Sequence, residues 1–322
     1  MQATDLYSSV RDDFTAVDAA IIEHLSSQVP LVEKIGQYII ESGGKRLRPL
    51  IVLLAARACG YQQDQHITLA AVVEFIHTAT LLHDDVVDTS DLRRGKPTAN
   101  NKWGNSSSVL VGDFLYSRAF QMLVSIGQVD VMNTLSNATN VIAEGEVLQL
   151  LNAKNPDVSE ADYLHVILGK TAMLFEAASH TGAQLAKANT EKADALRRFG
   201  RHLGIAFQLI DDLMDYAGDQ ATMGKNVGDD LAEGKPTLPL IHAMAHATDD
   251  ERKLIRKAIR QSSCEHISEI QSILSRCGSL NYTHARACQE TQDALACLEL
   301  LNDSPYKTSL ADLCTLALAR QN

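Results

Sequence analysis

Apolar residues recur three and four positions apart along most of the chain: in 31–40, 50–58, 67–88, 107–126, 131–151, 160–187, 192–216, 236–247, 251–261, 266–276, 280–301 and 306–319. That spacing places them on one face of a helix. The alternation that marks a half-buried strand is almost absent. Helix breakers fall between the segments: Gly43-Gly44, Pro49, Gly95 to Pro97, Pro156, Gly234 to Pro239 and Pro305. No low-complexity or linker-like stretch divides the chain. The pattern predicts an all-α fold and a single domain over 1–322, although 322 residues more often make two. One short echo stands out. The tetrapeptide GKPT occurs at 95–98 and again at 234–237, each time after an aspartate-rich stretch.

Composition narrows the function. A net charge of −11 and a pI near 5.4 argue against a nucleic-acid surface. Any phosphate site must therefore be a local basic cluster or a metal site. The six cysteines (59, 264, 277, 288, 297 and 314) form no CxxC pair, which suits a reducing cytosol and offers no metal-ligand spacing. The opening MQATDLYSSVRDDF lacks a basic stretch followed by an apolar core, and no uncharged apolar run reaches the roughly 18 residues of a membrane span. The expectation is a cytoplasmic protein with at most peripheral membrane contact.

Against this background LLHDDVVD at 81–88 is unexpected. Three aspartates close a long apolar helix, and QLIDDLMDY at 208–216 repeats the arrangement. Both read D-D-x-x-D: Asp84, Asp85, Asp88 and Asp211, Asp212, Asp215. On a helix the first and last of each triplet face the same way and repel. A solvated helix end would tolerate that; divalent cations would explain it. Magnesium favours one or two carboxylates together with substrate phosphates and retained waters. Basic residues complete the pattern. GGKRLRP at 43–49 puts Lys45, Arg46 and Arg48 in a glycine turn before a proline-started helix, and DLRRGKP at 91–97 puts Arg93 and Arg94 just after the first acidic helix. Arginine forks grip phosphate oxygens in pairs. One metal-bridged and one purely basic anion site suggest two phosphorylated substrates side by side.

The segments GGKRLRP, LLHDDVVDTSDLRRGKPTAN, GEVLQL, GKTAMLFEAA and FQLIDDLMDYAGDQATMGKNVGDDLAEGKPTLPL, in that order, resemble the motif set of the trans-isoprenyl diphosphate synthases over residues 30–245, with the long-chain branch fitting best. The resemblance implies a helical bundle around a deep central cavity and a homodimer. It implies two to three Mg2+ ions, replaceable by Mn2+, held by the two aspartate triplets. It assigns Lys45, Arg48, His77 and Arg94 to isopentenyl diphosphate. Arg93 is assigned to the allylic diphosphate, most simply farnesyl diphosphate. Lys170, Thr171, Gln208, Lys225 and Lys235 become further contacts to that diphosphate and to the developing cation, with Lys170 and Lys225 sharing in catalysis. On sequence alone His77 would pass as a core histidine, Lys170 and Thr171 as ordinary helical residues, and Lys225 and Lys235 as members of a solvated loop.

The implied reaction is sequential: the allylic diphosphate leaves, the double bond of isopentenyl diphosphate attacks the carbocation, and a proton is lost. No Ser-His-Asp, Cys-His or Walker-type arrangement offers another chemistry. The other readings are a shorter-chain synthase, a terpene cyclase, a noncatalytic subunit of a two-chain synthase and a purely structural bundle. A cyclase has no use for the Lys45/Arg48/Arg94 cluster, and this chain keeps both aspartate motifs. Product length has its own signal. Wound at about 100° per residue, Ala79, Ile76 and Val72 share a stripe next to Asp84. Ala79 and Thr80 are small where short-chain relatives in this family carry an aromatic. A 23-residue helix is about 35 Å long and flanks roughly seven or eight extended isoprene units, for a product near C40, and the resemblance implies a quinone side chain as its destination. Met122 and Leu123 on the next helix are candidates for the tunnel floor.

Overall fold

The computed structural model describes residues 6–217 and 227–319. Its described residues form sixteen α-helices, short 3-10 turns, one π-helical turn and a single two-stranded hairpin. The helices are α1 (Arg11–His24), α2 (Pro30–Glu41), α3 (Leu47–Ala58), α4 (Gln65–Val87), α5 (Ala99–Trp103), α6 (Asn105–Ile126), α7 (Val129–Asn152), α8 (Glu160–Ile167), α9 (Met173–Leu185), α10 (Thr190–Ala217), α11 (Asp229–Ala232), α12 (Leu238–His246), α13 (Asp249–Gln261), α14 (Ile267–Arg276), α15 (Ser279–Cys297) and α16 (Pro305–Leu318). β1 (Leu92–Arg93) and β2 (Lys96–Pro97) pair antiparallel. The all-α expectation holds.

The helices gather into two compact units: Met1–Thr139 with Leu174–Gly200 and Cys297–Leu313, and Asn140–Met173 with Arg201–Ala296 and Cys314–Asn322. In the first unit, α3 is buried without a break from Pro49 to Ala56, and α4 buries thirteen residues along its length. Helices that are apolar all round belong in a core. α4 packs chiefly on α6, α3 and α1. Gly182 on α9 lets that helix lie against α3; a Cβ there would come within 2.8 Å of the Val52 carbonyl oxygen. By length and composition α4 and α6 could each cross a membrane, but 67% of the most apolar stretch of α4 is buried inside the protein, against 39% for α6. Core packing accounts for the apolar character of α4.

The second unit has two apolar clusters. One gathers Tyr216, Leu231, Leu240, Ile255, Ile259, Ile270 and Leu274. The other gathers Tyr163, Ile167, Leu209, Ile210, Leu238 and Ala287. Capping boxes start α8 (Ser159 with Asp162) and α13 (Thr248 with Glu251), each satisfying two backbone N–H groups that the first turn leaves open. Cys59, Cys264, Cys277 and Cys288 are free thiols.

Three details depart from the periodicity. α1 went unpredicted, because only Val17 and Ile21 on it are deeply buried and its remaining anchors are ionic. Asp13 accepts from Nε and Nη2 of Arg57, both at 2.7 Å, and Asp18 pairs with Arg46. α3 begins at Leu47 rather than at the proline, after Arg46 in a left-handed conformation (φ 43°). The expected single helix over 160–187 is interrupted by a π-helical turn at Leu168–Ala172. The two GKPT copies do the same local job: Gly95 (φ 73°) and Gly234 (φ 74°) turn the chain, and Thr98 and Thr237 are the N-caps of α5 and α12.

Candidate functional site

In the first unit the glycine turn, α4 and the hairpin bring the basic residues together. Arg48, in the first turn of α3, lies with its guanidinium 4.4 Å from the centre of the Phe175 ring, and its Nη1 is 3.2 Å from Nε2 of His77. A guanidinium can only donate, so Nε2 of His77 accepts and the ring proton sits on Nδ1. The histidine is neutral: burial, followed by the positive fields of Arg48, Arg93 and Arg94, pushes its pKa well below the usual value. Burial also lowers Arg48, to about 10, leaving it charged at neutral pH. Arg94 (φ 52°) sits beside Gly44 (φ 137°), where a Cβ would come 2.5 Å from its Nη1. Gly44 is thus needed twice, for its backbone angle and for its missing side chain. Lys45 is exposed, and its carbonyl accepts from the Tyr7 hydroxyl at 2.7 Å.

Seven residues beyond His77, almost two turns on, α4 ends in the first triplet. Asp84 and Asp88 are half-buried. Asp85 is fully buried and differs from them. Its Oδ1 accepts from Nε and Nη2 of Arg93 at 2.9 and 2.7 Å, and its backbone carbonyl accepts from Asn100 Nδ2 at 3.1 Å. Its Oδ2 is buried without a hydrogen-bond partner. The hairpin of β1 and β2 therefore folds Arg93 back on the helix that carries the aspartates.

The second unit holds the second triplet near the end of α10. Asp211 is half-buried, and Asp212 is buried. Asp212 accepts from the Tyr163 hydroxyl and, at 2.7 Å, from Nε2 of Gln208; Oε1 of Gln208 in turn accepts from Thr171 at 2.8 Å. Burial, then the charge of Asp230, raises the Asp212 pKa well above the ordinary carboxylate range. The two oxygens of Asp215 accept from the backbone N–H groups of Asp229 and Asp230, at 3.1 and 3.2 Å, at the start of α11. Lys170 donates to Glu146 Oε2 at 2.7 Å and to Gln149 Oε1 at 2.8 Å. Both partners lie in the GEVLQL segment. Lys170 and Thr171 stand in the π-helical turn, a feature that re-aims side chains and is frequent at functional sites. Gly145 makes room for that turn: a Cβ there would be 2.7 Å from the Lys170 nitrogen. Lys235 is half-buried and ion-paired with Glu233. Lys225 lies outside the described residues.

Sequence reasoning missed Tyr163, Glu146, Gln149 and Phe175 as side chains that hold the predicted ones. For Glu146 and Gln149 the signal was present, since GEVLQL was among the shared motifs. A third grouping was also missed. His202, Glu290 and Asp293 bring three potential metal donors within 4.8 Å of one another, with Nδ1 of His202 2.7 Å from Glu290. Of the chain-length candidates, Ala79, Ile76, Met122 and Leu123 are buried, and Thr80 is half-buried with its hydroxyl donating to the His77 carbonyl at 2.8 Å.

As a donor set the triplets fit magnesium. They offer hard carboxylate oxygens, paired one helical turn apart as Asp84/Asp88 and Asp211/Asp215, and the orphaned Oδ2 of Asp85 is an acceptor that a cation can satisfy. Comparison with known proteins bears on what such an arrangement serves. The polyprenyl synthetase family profile matches residues 29–277. The chain is 54% identical over 309 residues to octaprenyl diphosphate synthase of Escherichia coli (strain K12), covering 96% of each chain. It is 49% identical to an all-trans-nonaprenyl-diphosphate synthase (geranyl-diphosphate specific) of Rhodobacter capsulatus, over 98% of this chain and 97% of that one. Among solved structures it is similar to polyprenyl synthase from Caulobacter crescentus CB15 complexed with calcium and isoprenyl diphosphate, with TM-score 0.95, 43% identity and 98% and 97% coverage.

Proposed function

The chain belongs to the polyprenyl synthetase family, and from that premise we propose how its residues divide the work of chain elongation. It is a prenyltransferase of the long-chain trans-prenyl diphosphate synthase type, in a family that depends on magnesium and uses isoprenoid diphosphates. The finer reading is that farnesyl diphosphate is extended by isopentenyl units to about C40, the octaprenyl length, for a quinone side chain. The whole chain, 1–322, works as one polyprenyl synthase domain. It acts as a homodimer in the cytoplasm, touching membrane at most peripherally.

The observation that carries this reading is a single helix. α4 bears His77, which meets Arg48, and seven residues later the Asp84/Asp88 pair with Arg93 folded against Asp85. A metal-independent basic pocket and a carboxylate cluster thus share one element. Lys45, Arg48, His77 and Arg94 hold isopentenyl diphosphate. Arg93, oriented by Asp85, grips the allylic diphosphate, and Lys170, Thr171, Gln208, Lys225 and Lys235 complete its surroundings. Asp84, Asp88, Asp211 and Asp215 hold two to three Mg2+ ions, or Mn2+ in their place, with Asp85 and Asp212 in support. Bound there, magnesium supplies positive charge to the departing diphosphate. Arg93 and the lysines add to that stabilisation as the carbon–oxygen bond breaks. The basic pocket keeps the isopentenyl double bond next to the resulting allylic cation, and apolar walls exclude water. The new carbon–carbon bond forms, and the proton it displaces passes to the released diphosphate.

The test is incorporation of labelled isopentenyl diphosphate into an extractable prenyl product with farnesyl diphosphate as primer. It is expected to need Mg2+ or Mn2+ and to fall at least about a hundredfold in Asp84→Ala and in Asp211→Ala, the scale of a lost transition-state contact. Undiminished turnover in excess chelator would end this reading.

A further inference from the structure

The basic pocket contains a carboxylate that the reaction does not call for. Glu74 lies in the middle of α4, three residues before His77, and only 8% of it is exposed. A glutamate so deep in a helix of apolar residues is costly unless it answers other charges. Its Oε1 is 4.0 Å from Nε of Arg46, and its Oε2 is buried without a hydrogen-bond partner. Arg46 also meets Asp18 at the edge of the turn. The field of Glu74 reaches further: burial raises its pKa, while Arg46, Arg48 and Arg94 all pull it back down. Arg48 feels the same pair of influences from its side, favoured by Glu74 and opposed by Arg94. Nε of Arg48 is likewise buried without a partner. Arg46 thus lies nearest the buried acid, Arg48 meets His77 one turn further along the same helix, and Arg94 sits at Gly44 in the glycine turn whose left-handed backbone at Gly43, Gly44 and Arg46 leads into Arg48.

We propose that Glu74 is a positioning residue for the isopentenyl diphosphate pocket: a fixed internal counter-ion that gathers Arg46, Arg48 and Arg94 before the diphosphate arrives. The proposal rests on the assignment of that pocket made above. Cations brought together without an anion repel, and long side chains so repelled turn outward to solvent. Substrate would then have to collect them again, and its apparent affinity would fall. A carboxylate out of reach of the diphosphate keeps them converged without competing for the same donors. The allylic side is served by Arg93, which has its own partner in Asp85.

The experiment compares wild type with Glu74→Gln, which keeps the shape and removes the charge. Isopentenyl diphosphate is titrated calorimetrically into each full-length protein without metal, and KM for each substrate is measured with magnesium. Expected are weaker isopentenyl diphosphate binding and a KM for it raised about tenfold or more, with the allylic KM within about twofold. Glu74→Asp keeps the charge but draws it back by one methylene, so a smaller rise, again confined to isopentenyl diphosphate, is expected. If Glu74→Gln fails to fold, Glu74→Asp alone carries the test. Unchanged or tighter isopentenyl diphosphate binding, or an equal rise in both KM values, would overturn the proposal. If wild type itself bound no isopentenyl diphosphate without metal, the pocket assignment would be at fault, and the role of Glu74 would fall with it.

Discussion

Arg93 and Arg94 are adjacent in sequence and alike in charge, yet the hairpin gives them different neighbours. Arg93 turns in to Asp85 with two hydrogen bonds, whereas Arg94, in a left-handed conformation, lies over Gly44. This division predicts separable kinetics. Arg94→Ala and Lys45→Ala are expected to raise KM for isopentenyl diphosphate about tenfold or more with little change for the primer. Arg93→Ala is expected to damage primer use and turnover, and Asp85→Asn to resemble it, because Arg93 then loses its anchor. Steady-state measurement of both KM values checks this; equal effects on both substrates from all four changes would refute separate sites. At this scale the sequence was informative about which residues matter and silent about what holds them. That Asp85 is fully buried against Arg93, while Asp84 and Asp88 are half-buried, depends on where the chain returns after α4, and no local periodicity encodes it. Tyr163 was invisible for the same reason: it reaches Asp212 across forty-nine residues.

Among the elements, α4 carries the most. Its ends were legible to within a residue or two, because a long, mostly apolar run bounded by polar residues leaves little choice. α1 was not, since its contribution is two buried side chains and ionic contacts to Arg57 and Arg46, which a search for apolar spacing passes over. The π-helical turn was also hidden. Its requirement is the close approach of Gly145 and Gly169, which lie on different helical segments. The small side chain of Ala79, fully buried one turn before the first aspartate, leads to a prediction for the helix as a whole. If the growing chain runs beside Ala79, Ile76 and Val72, a tyrosine at 79 fills the space the product would use. Ala79→Tyr is expected to shorten the product to about C15–C20 while leaving the first condensation intact. An unchanged long product from the folded, active variant would show that the chain grows elsewhere.

Over the whole molecule, the family match at 29–277 runs through both compact units, and one aspartate triplet lies in each. The all-α class followed from periodicity because twelve segments agreed. The division into units did not, since no change of composition marks it and long helices such as α7 and α10 contribute to both. Leu110, Val124 and Val129 on α6 and at the start of α7 remain 67%, 60% and 67% exposed. Light scattering is expected to give about 70 kDa, twice the 35.1 kDa of one chain; a monomer at micromolar concentration would exclude the dimer.

Whether this chain builds a long prenyl diphosphate is read straight from the length of its product. Purified protein is incubated with Mg2+, isopentenyl diphosphate and farnesyl diphosphate, and the dephosphorylated products are separated by chromatography. One dominant species near C40 is expected, with intermediates only when isopentenyl diphosphate is scarce. Products that stop at C15–C20, or a primer returned unextended, would contradict long-chain synthesis.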